Sequence, residues 1–120
     1  METTLNEKAM RGINRFLENR GFEVLAQDWA YGSDHMDFVA REDDELVFIT
    51  TTIRTDATHG MGPEEIDRDS AERVALAWLK DHVESPEGTV RFDVITMVIL
   101  GDHKALLRHH RNCLASGDLL

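Results

Sequence analysis

Two short stretches of the chain hold the residues best able to do chemistry. The first is "HMDFVARE", His35 to Glu42, in which an imidazole stands two residues before the carboxylate of Asp37. The second is "LVFITTTIRT", Leu46 to Thr55, where three consecutive threonines are closely followed by Arg54. Side chains alternate across a strand. Phe48, Thr50, Thr52 and Arg54 therefore share one face, and Val47, Ile49, Thr51 and Ile53 the other. A face that starts with a phenylalanine and ends in hydroxyls and a cation is either a solvated sheet edge or the lining of a site. His35, on the same strand face as Asp37, would complete a transition-metal set with His59 from the following loop. The plainer roles are a carboxylate at Asp37 that caps a turn or pairs with Arg54, and a solvated or hydrogen-bonded His35.

The elements that must position these residues follow from spacing and turn chemistry. Leu5, Ala9, Ile13, Phe16 and Leu17 recur at intervals of three and four, which predicts a helix with one buried stripe. Gly21 ends it in the position of a left-handed cap. "FEVLAQDWA" and "HMDFVARE" read as strands, and Asp43 and Asp44 form a tight turn into a third strand, "ELVFITTTIR". "TDATHGMGP" reads as a loop. Pro63 suits the first turn of a second helix, with Glu64 and Glu65 favourable to its dipole. Ile66, Ser70, Val74, Trp78 and Leu79 carry that helix to about His82, and "VESPEGT" is a turn. "VRFDVITMVIL" is nearly continuously apolar, as a strand covered on both faces would be, and after a helical crossover it should lie parallel to a neighbour. "HKALLRHHRNCL" reads as a closing helix, and "ASGDLL" as a frayed end. The expected order is α-β-β-β-α-β-α in one domain, residues 1–120, with a mixed central sheet flanked by helices.

Composition limits the functions. Apolar residues make up 42% and charged residues 30% of 120 residues, as in an ordinary globular protein. No apolar run reaches the roughly 20 residues that span a bilayer. "METTLNEKAMRG" lacks the apolar centre of a signal peptide, and the lone Cys113 permits no internal disulfide. An intracellular, cytoplasmic protein without membrane contact is expected. The 13 basic and 23 acidic residues give a net charge of −10. That balance argues mildly against a polyanion partner, since phosphate binding then needs a local basic patch.

The order of these elements and their residues resembles the YraN-type family of small uncharacterised bacterial proteins, which is assigned to the restriction-endonuclease-like fold. "RFLENRGFEVLAQDW" is similar to the family's opening helix, glycine and first strand. "HMDFVAREDDELVFITTTIR" is similar to its paired central strands, and "RFDVITMV" and "HHRNCL" to its last core strand and closing helix. The resemblance covers roughly Ala9 to Leu114.

In that family the central strands typically read Gly-Glu-Ile-Asp and Val-Phe-Val-Glu-Val-Lys. The Asp and the second Glu would hold a divalent metal that polarises phosphate and lowers the pKa of a water, and the Lys would orient that water. Laid on this pattern, Asp37 matches the family's aspartate and His35 replaces the preceding glutamate. Thr50 falls where the metal-binding glutamate belongs and Thr52 where the lysine belongs. The family's glutamate on the first helix falls at Met10. The resemblance therefore implies a nuclease fold with a degenerate site. Each lost group would cost about two to four orders of magnitude in rate.

Arg54, Arg91, Arg108 and Arg111 are the candidates for phosphate contact. Against this, Arg54 can pair with Asp37, and "RHHR", Arg108 to Arg111, can be a polar helix face. Asp93 reads as structural, Trp29, Phe48, Trp78 and Phe92 as core, and Cys113 as a small buried apolar residue. Three functions stay open: a non-catalytic protein associated with DNA or RNA, a weak endonuclease using substitute ligands, and an acidic module that binds a protein partner or forms a homodimer. No cofactor is expected, and Mg2+ or Mn2+ only if the endonuclease reading holds.

Overall fold

The computed structural model describes residues 5–55, 60–61, 66–82, 89–101 and 104–113. Helix α1 (Leu5–Asn19) buries Ala9, Ile13 and Leu17, the stripe expected from their spacing. It ends where Gly21 takes a φ of 92°. The Phe22 N–H then bonds back to the Leu17 carbonyl and the Gly21 N–H to that of Glu18. This paired closure is what a left-handed glycine permits, and it brings Phe22 against Leu17 in the core.

Among the described residues five strands follow: β1 (Glu23–Tyr31), β2 (Asp34–Glu42), β3 (Glu45–Arg54), β4 (Val90–Ile99) and β5 (Ala105–His110), with helix α2 (Arg68–His82) between β3 and β4. They form one sheet in the order β1-β2-β3-β4-β5. The hairpin turn at Asp43 and Asp44 is present, with Asp43 at a φ of 55° and Glu42 paired to Glu45. β4 lies parallel to β3, as the crossover requires. Asp67 caps α2 through the Ser70 N–H. The expectations for His59, Pro63, Glu64, Glu65, the turn at 83–88 and the tail at 115–120 fall outside the described residues.

The last element differs from expectation. Residues 105–110 form a strand, antiparallel to β4 from Val94↔His110 to Ile99↔Ala105, not a helix. Ala, Leu, Lys and Arg favour helices in isolation, but pairing to the buried β4 decides the conformation. The order is α-β-β-β-α-β-β, and Arg108 to Arg111 span a strand end.

The helices cover opposite faces. Ala9, Ile13 and Leu17 of α1 pack on Phe38, Ala40, Val47, Ile49, Ile95 and Met97. Ala71, Val74, Ala75 and Trp78 of α2 pack on Met36, Val39, Leu46, Phe48 and Phe92. Trp29, Phe48, Trp78 and Phe92 are all in this second layer, where Phe48 stacks on Phe92 at 5.6 Å between centroids. Each fully buried large apolar side chain contributes about 1.5–3 kcal/mol. Among the described residues no helix is long and apolar enough to cross a membrane.

Candidate functional site

A cleft of about 720 Å³ opens on the α1 side, lined by Asn6, Glu7, Met10 and Arg11 of α1, Gln27 and Asp28 of β1, His35 and Asp37 of β2, and Thr51 and Ile53 of β3. A break in strand alternation puts Asp37 there. Met36 belongs to the α2-side layer and Phe38 to the α1-side layer, so two residues that should point the same way point oppositely. Regular β2–β3 pairing begins only at Phe38↔Ile49. This is the geometry of a bulge, which re-aims a side chain. Asp37 takes over the missing ladder bond: its Oδ2 accepts from the Thr51 backbone N–H at 2.7 Å and from the Thr51 hydroxyl at 2.9 Å.

The other oxygen, Oδ1, faces His35 Nε2 at 3.2 Å, and the same nitrogen lies 2.7 Å from Oδ1 of Asp28. Asp28 reaches it from a left-handed backbone, φ 52°. His35 thus joins two carboxylates through one N–H. The Thr51 hydroxyl also lies 3.6 Å from the Met10 sulfur, which lines the same cleft.

Thr50 and Thr52 do not face this cleft. Phe48 is on the α2 side, and regular alternation and pairing with β4 continue from Leu46↔Val90 to Arg54↔Val98. Thr50, Thr52 and Arg54 therefore follow Phe48 onto the α2-side face. The β3 residues that line the cleft with Asp37 are Thr51, which bonds to it, and, two positions on, Ile53. Phe48, Thr50, Thr52 and Arg54 do share one face, but that face lies across the sheet from Asp37, which the bulge in β2 turns toward Thr51. Arg54, on the far side of the sheet, does not pair with Asp37.

The site does not fit a divalent metal. Mg2+ requires several hard oxygens, and one oxygen of Asp37 already accepts two hydrogen bonds from Thr51 while the other faces His35. Among the described residues no three His, Cys, Asp or Glu groups converge on a metal position. The proposed His59 ligand lies outside those residues.

The four arginines considered for phosphate contact separate. Arg91 is 5% exposed and sits in an ion network on the α1 side of the sheet. It donates to the fully buried Asp93 through Nε and Nη2 at 2.9 and 3.0 Å, and contacts Glu42 and Glu45 at 3.0 Å. His109 Nε2–H donates to Asp93 at 2.7 Å, and the Asn112 N–H at 2.8 Å. Burial pushes the Asp93 carboxyl upward, but these hydrogen bonds outweigh it and hold the group below its ordinary range. Arg111 pairs with Glu42. For Glu42 too, the bonds from Arg111 and Arg91 overcome burial and hold the carboxyl low. Arg91 and Arg111 are thus engaged with carboxylates, whereas Arg54 and Arg108 lie on the α2-side face, Arg108 opposite Thr96. Asp93 is structural, as expected. Cys113 follows β5, half-buried, with its thiol donating to the His110 carbonyl.

Sequence reasoning missed Thr51, Asp28, Gln27, Glu7 and Arg11 as cleft residues. A signal existed for two of them: Glu7 and Arg11 flank Met10 on α1, one turn apart, so a cleft at Met10 draws them in.

The model of "Uncharacterised protein family UPF0102" matches residues 11–97 of the chain. A UPF0102 protein of Parafrankia sp. (strain EAN1pec) is 33% identical over 100 residues, covering 81% of this chain and 84% of the relative. One from Roseiflexus castenholzii is 37% identical over 89 residues, 71% of each chain, and one from Nocardia farcinica 28% over 98 residues, 79% of this chain and 76% of the relative.

Proposed function

We propose, for a chain that belongs to the uncharacterised protein family UPF0102, a restriction-endonuclease-like domain that associates with nucleic acid in the cytoplasm without cleaving it. One observation carries the non-catalytic part: the two β3 positions that share the cleft with Asp37 are Thr51 and Ile53, neither of which supplies a carboxylate or an amine. Metal-dependent hydrolysis needs a charged oxygen set and a group that activates water, and Asp37 instead bonds to Thr51. The mixed sheet between two helices is consistent with the nuclease fold.

Support for nucleic acid comes from the exposed side of α1, which Lys8, Arg11 and Arg15 share, with Arg11 at the edge of the cleft. These positions fall within about 60° of one another on a helical wheel. They form a local basic stripe on a chain of net charge −10. Gel shift with single-stranded, duplex and branched DNA tests the reading. Binding that weakens steeply with salt and is lost in Lys8→Glu/Arg15→Glu supports it, and no binding to any DNA at low salt defeats it.

A second reading, an acidic protein-interaction module, is favoured by the net charge and by Leu76 on α2 and Leu106 on β5, 67% and 56% exposed.

A further inference from the structure

The sheet face on the α2 side has two chemical halves. Helix α2 covers the first, where Phe48 stacks on Phe92. Beyond it, toward the carboxyl ends of the parallel strands β3 and β4, the same face carries Thr50, Thr52 and Arg54 of β3, Thr96 of β4 and Arg108 of β5. The register aligns them: Thr52 is opposite Thr96, and Thr96 opposite Arg108. Neighbouring strands lie about 4.8 Å apart, so Thr52, Thr96 and Arg108 form a row across three strands. Arg54 stands one alternation beyond Thr52.

Two buried polar atoms here lack a hydrogen-bond partner. Thr96 is 1% exposed and its Oγ1 is unsatisfied, as is the buried Nε of Arg54. A buried polar group left unpaired costs about 1–3 kcal/mol, and such groups call for a partner outside the protein's own bonds. The unmet groups are a guanidinium N–H and a hydroxyl, in a row of hydroxyls with a second guanidinium nearby. No carboxylate stands among these five residues. Guanidinium and hydroxyl donors together match the oxygens of a phosphate. The carboxyl ends of parallel strands are also where open α/β sheets bind ligands.

We infer that this face holds a binding site for a phosphate group, with Arg54, Thr52 and Thr96 as its centre and Thr50 and Arg108 at its margin. The site lies across the sheet from the Asp37 cleft and does not depend on how that cleft is read. The phosphate belongs either to a nucleic-acid backbone or to a small phosphorylated molecule.

The test is titration of the full chain with inorganic phosphate by calorimetry, and with a fluorescent single-stranded 12-mer by anisotropy. The proteins are wild type, Arg54→Gln, Thr96→Val and, as a control on the exposed side of α2, Lys80→Gln. Thr96→Val keeps the side-chain shape and removes only the unsatisfied hydroxyl, so it should fold with unchanged or higher Tm. Phosphate affinity should fall about tenfold or more in Arg54→Gln and severalfold in Thr96→Val, and stay unchanged in Lys80→Gln. An oligonucleotide at least tenfold tighter than phosphate, with the same variant pattern, identifies the backbone as the source. Equal affinities identify a small phosphorylated ligand. Binding of neither ligand, or affinities equal in all four proteins, overturns the inference. Oligonucleotide binding that survives Arg54→Gln but is lost in Lys8→Glu/Arg15→Glu also overturns it, while leaving the cleft reading intact.

Discussion

Asp37 accepts two hydrogen bonds from Thr51, one from its backbone N–H and one from its hydroxyl, through a single carboxylate oxygen. A side chain thus completes a strand pairing that the bulge in β2 has broken. The same bond ties up the one acid that the nuclease resemblance carries over to this chain.

If this bond is structural, removing either end costs stability. Thr51→Val loses the hydroxyl bond to a carboxylate, which is worth about 1.5–3 kcal/mol when charge-assisted. Asp37→Ala also strands the Thr51 N–H and should cost at least as much. Urea denaturation of both variants measures this, and a loss well below 0.5 kcal/mol in Asp37→Ala contradicts a structural role.

The register of the site can be tested by gain of function. Thr51→Glu/Ile53→Lys places a carboxylate and an amine beside Asp37, whereas Thr50→Glu/Thr52→Lys places them across the sheet. Calorimetry with Mn2+ should detect about tenfold tighter binding in the first variant only, as an added carboxylate ligand predicts. Equal gain in the second would restore the alignment expected from sequence.

That disagreement marks where the sequence stops being legible. The stripe of Ala9, Ile13 and Leu17, the cap at Gly21 and the doubly covered β4 could be read directly, because each depends on local spacing or on one residue's φ. The bulge at Asp37 could not. It leaves no mark in "HMDFV", yet it turns Asp37 toward Thr51 rather than Thr50. The fate of "ALLRHH" was equally hidden: good helix formers became a strand because β4 offered an open edge. Arg91 read as a candidate for phosphate contact, and only the tertiary fold brings Glu42, Glu45 and Asp93 to it.

Arg91 should therefore matter for stability and not for nucleic-acid contact. Arg91→Met leaves the fully buried Asp93 short of its bidentate partner, and breaking such pairs costs about 3–5 kcal/mol. Below its lowered Tm the variant should bind DNA as wild type does. Wild-type stability with lost DNA binding would reverse the assignment.

Acid should weaken the fold in a defined window. Asp93 and Glu42 are held below their ordinary values of 3.8 and 4.5, and Asp34 is held at about 2 by its hydrogen bonds from Arg73 and Ser70. A carboxylate depressed in the folded state contributes stability that is fully present above its unfolded pKa and is lost as pH falls through its folded one. Tm should be level above about pH 5 and fall progressively from about pH 4.5 toward 2. A Tm that rises on acidification over that range contradicts this network.

Whether the Asp37 cleft cuts nucleic acid bears most directly on the proposed function. Linear, single-stranded and branched DNA incubated with the protein in Mg2+ and in Mn2+, beside Asp37→Ala, decides it. The expected result is intact DNA with both proteins and both metals. Cleavage by the wild-type protein that disappears in Asp37→Ala would show that substitute ligands sustain catalysis, and the non-catalytic reading would fall.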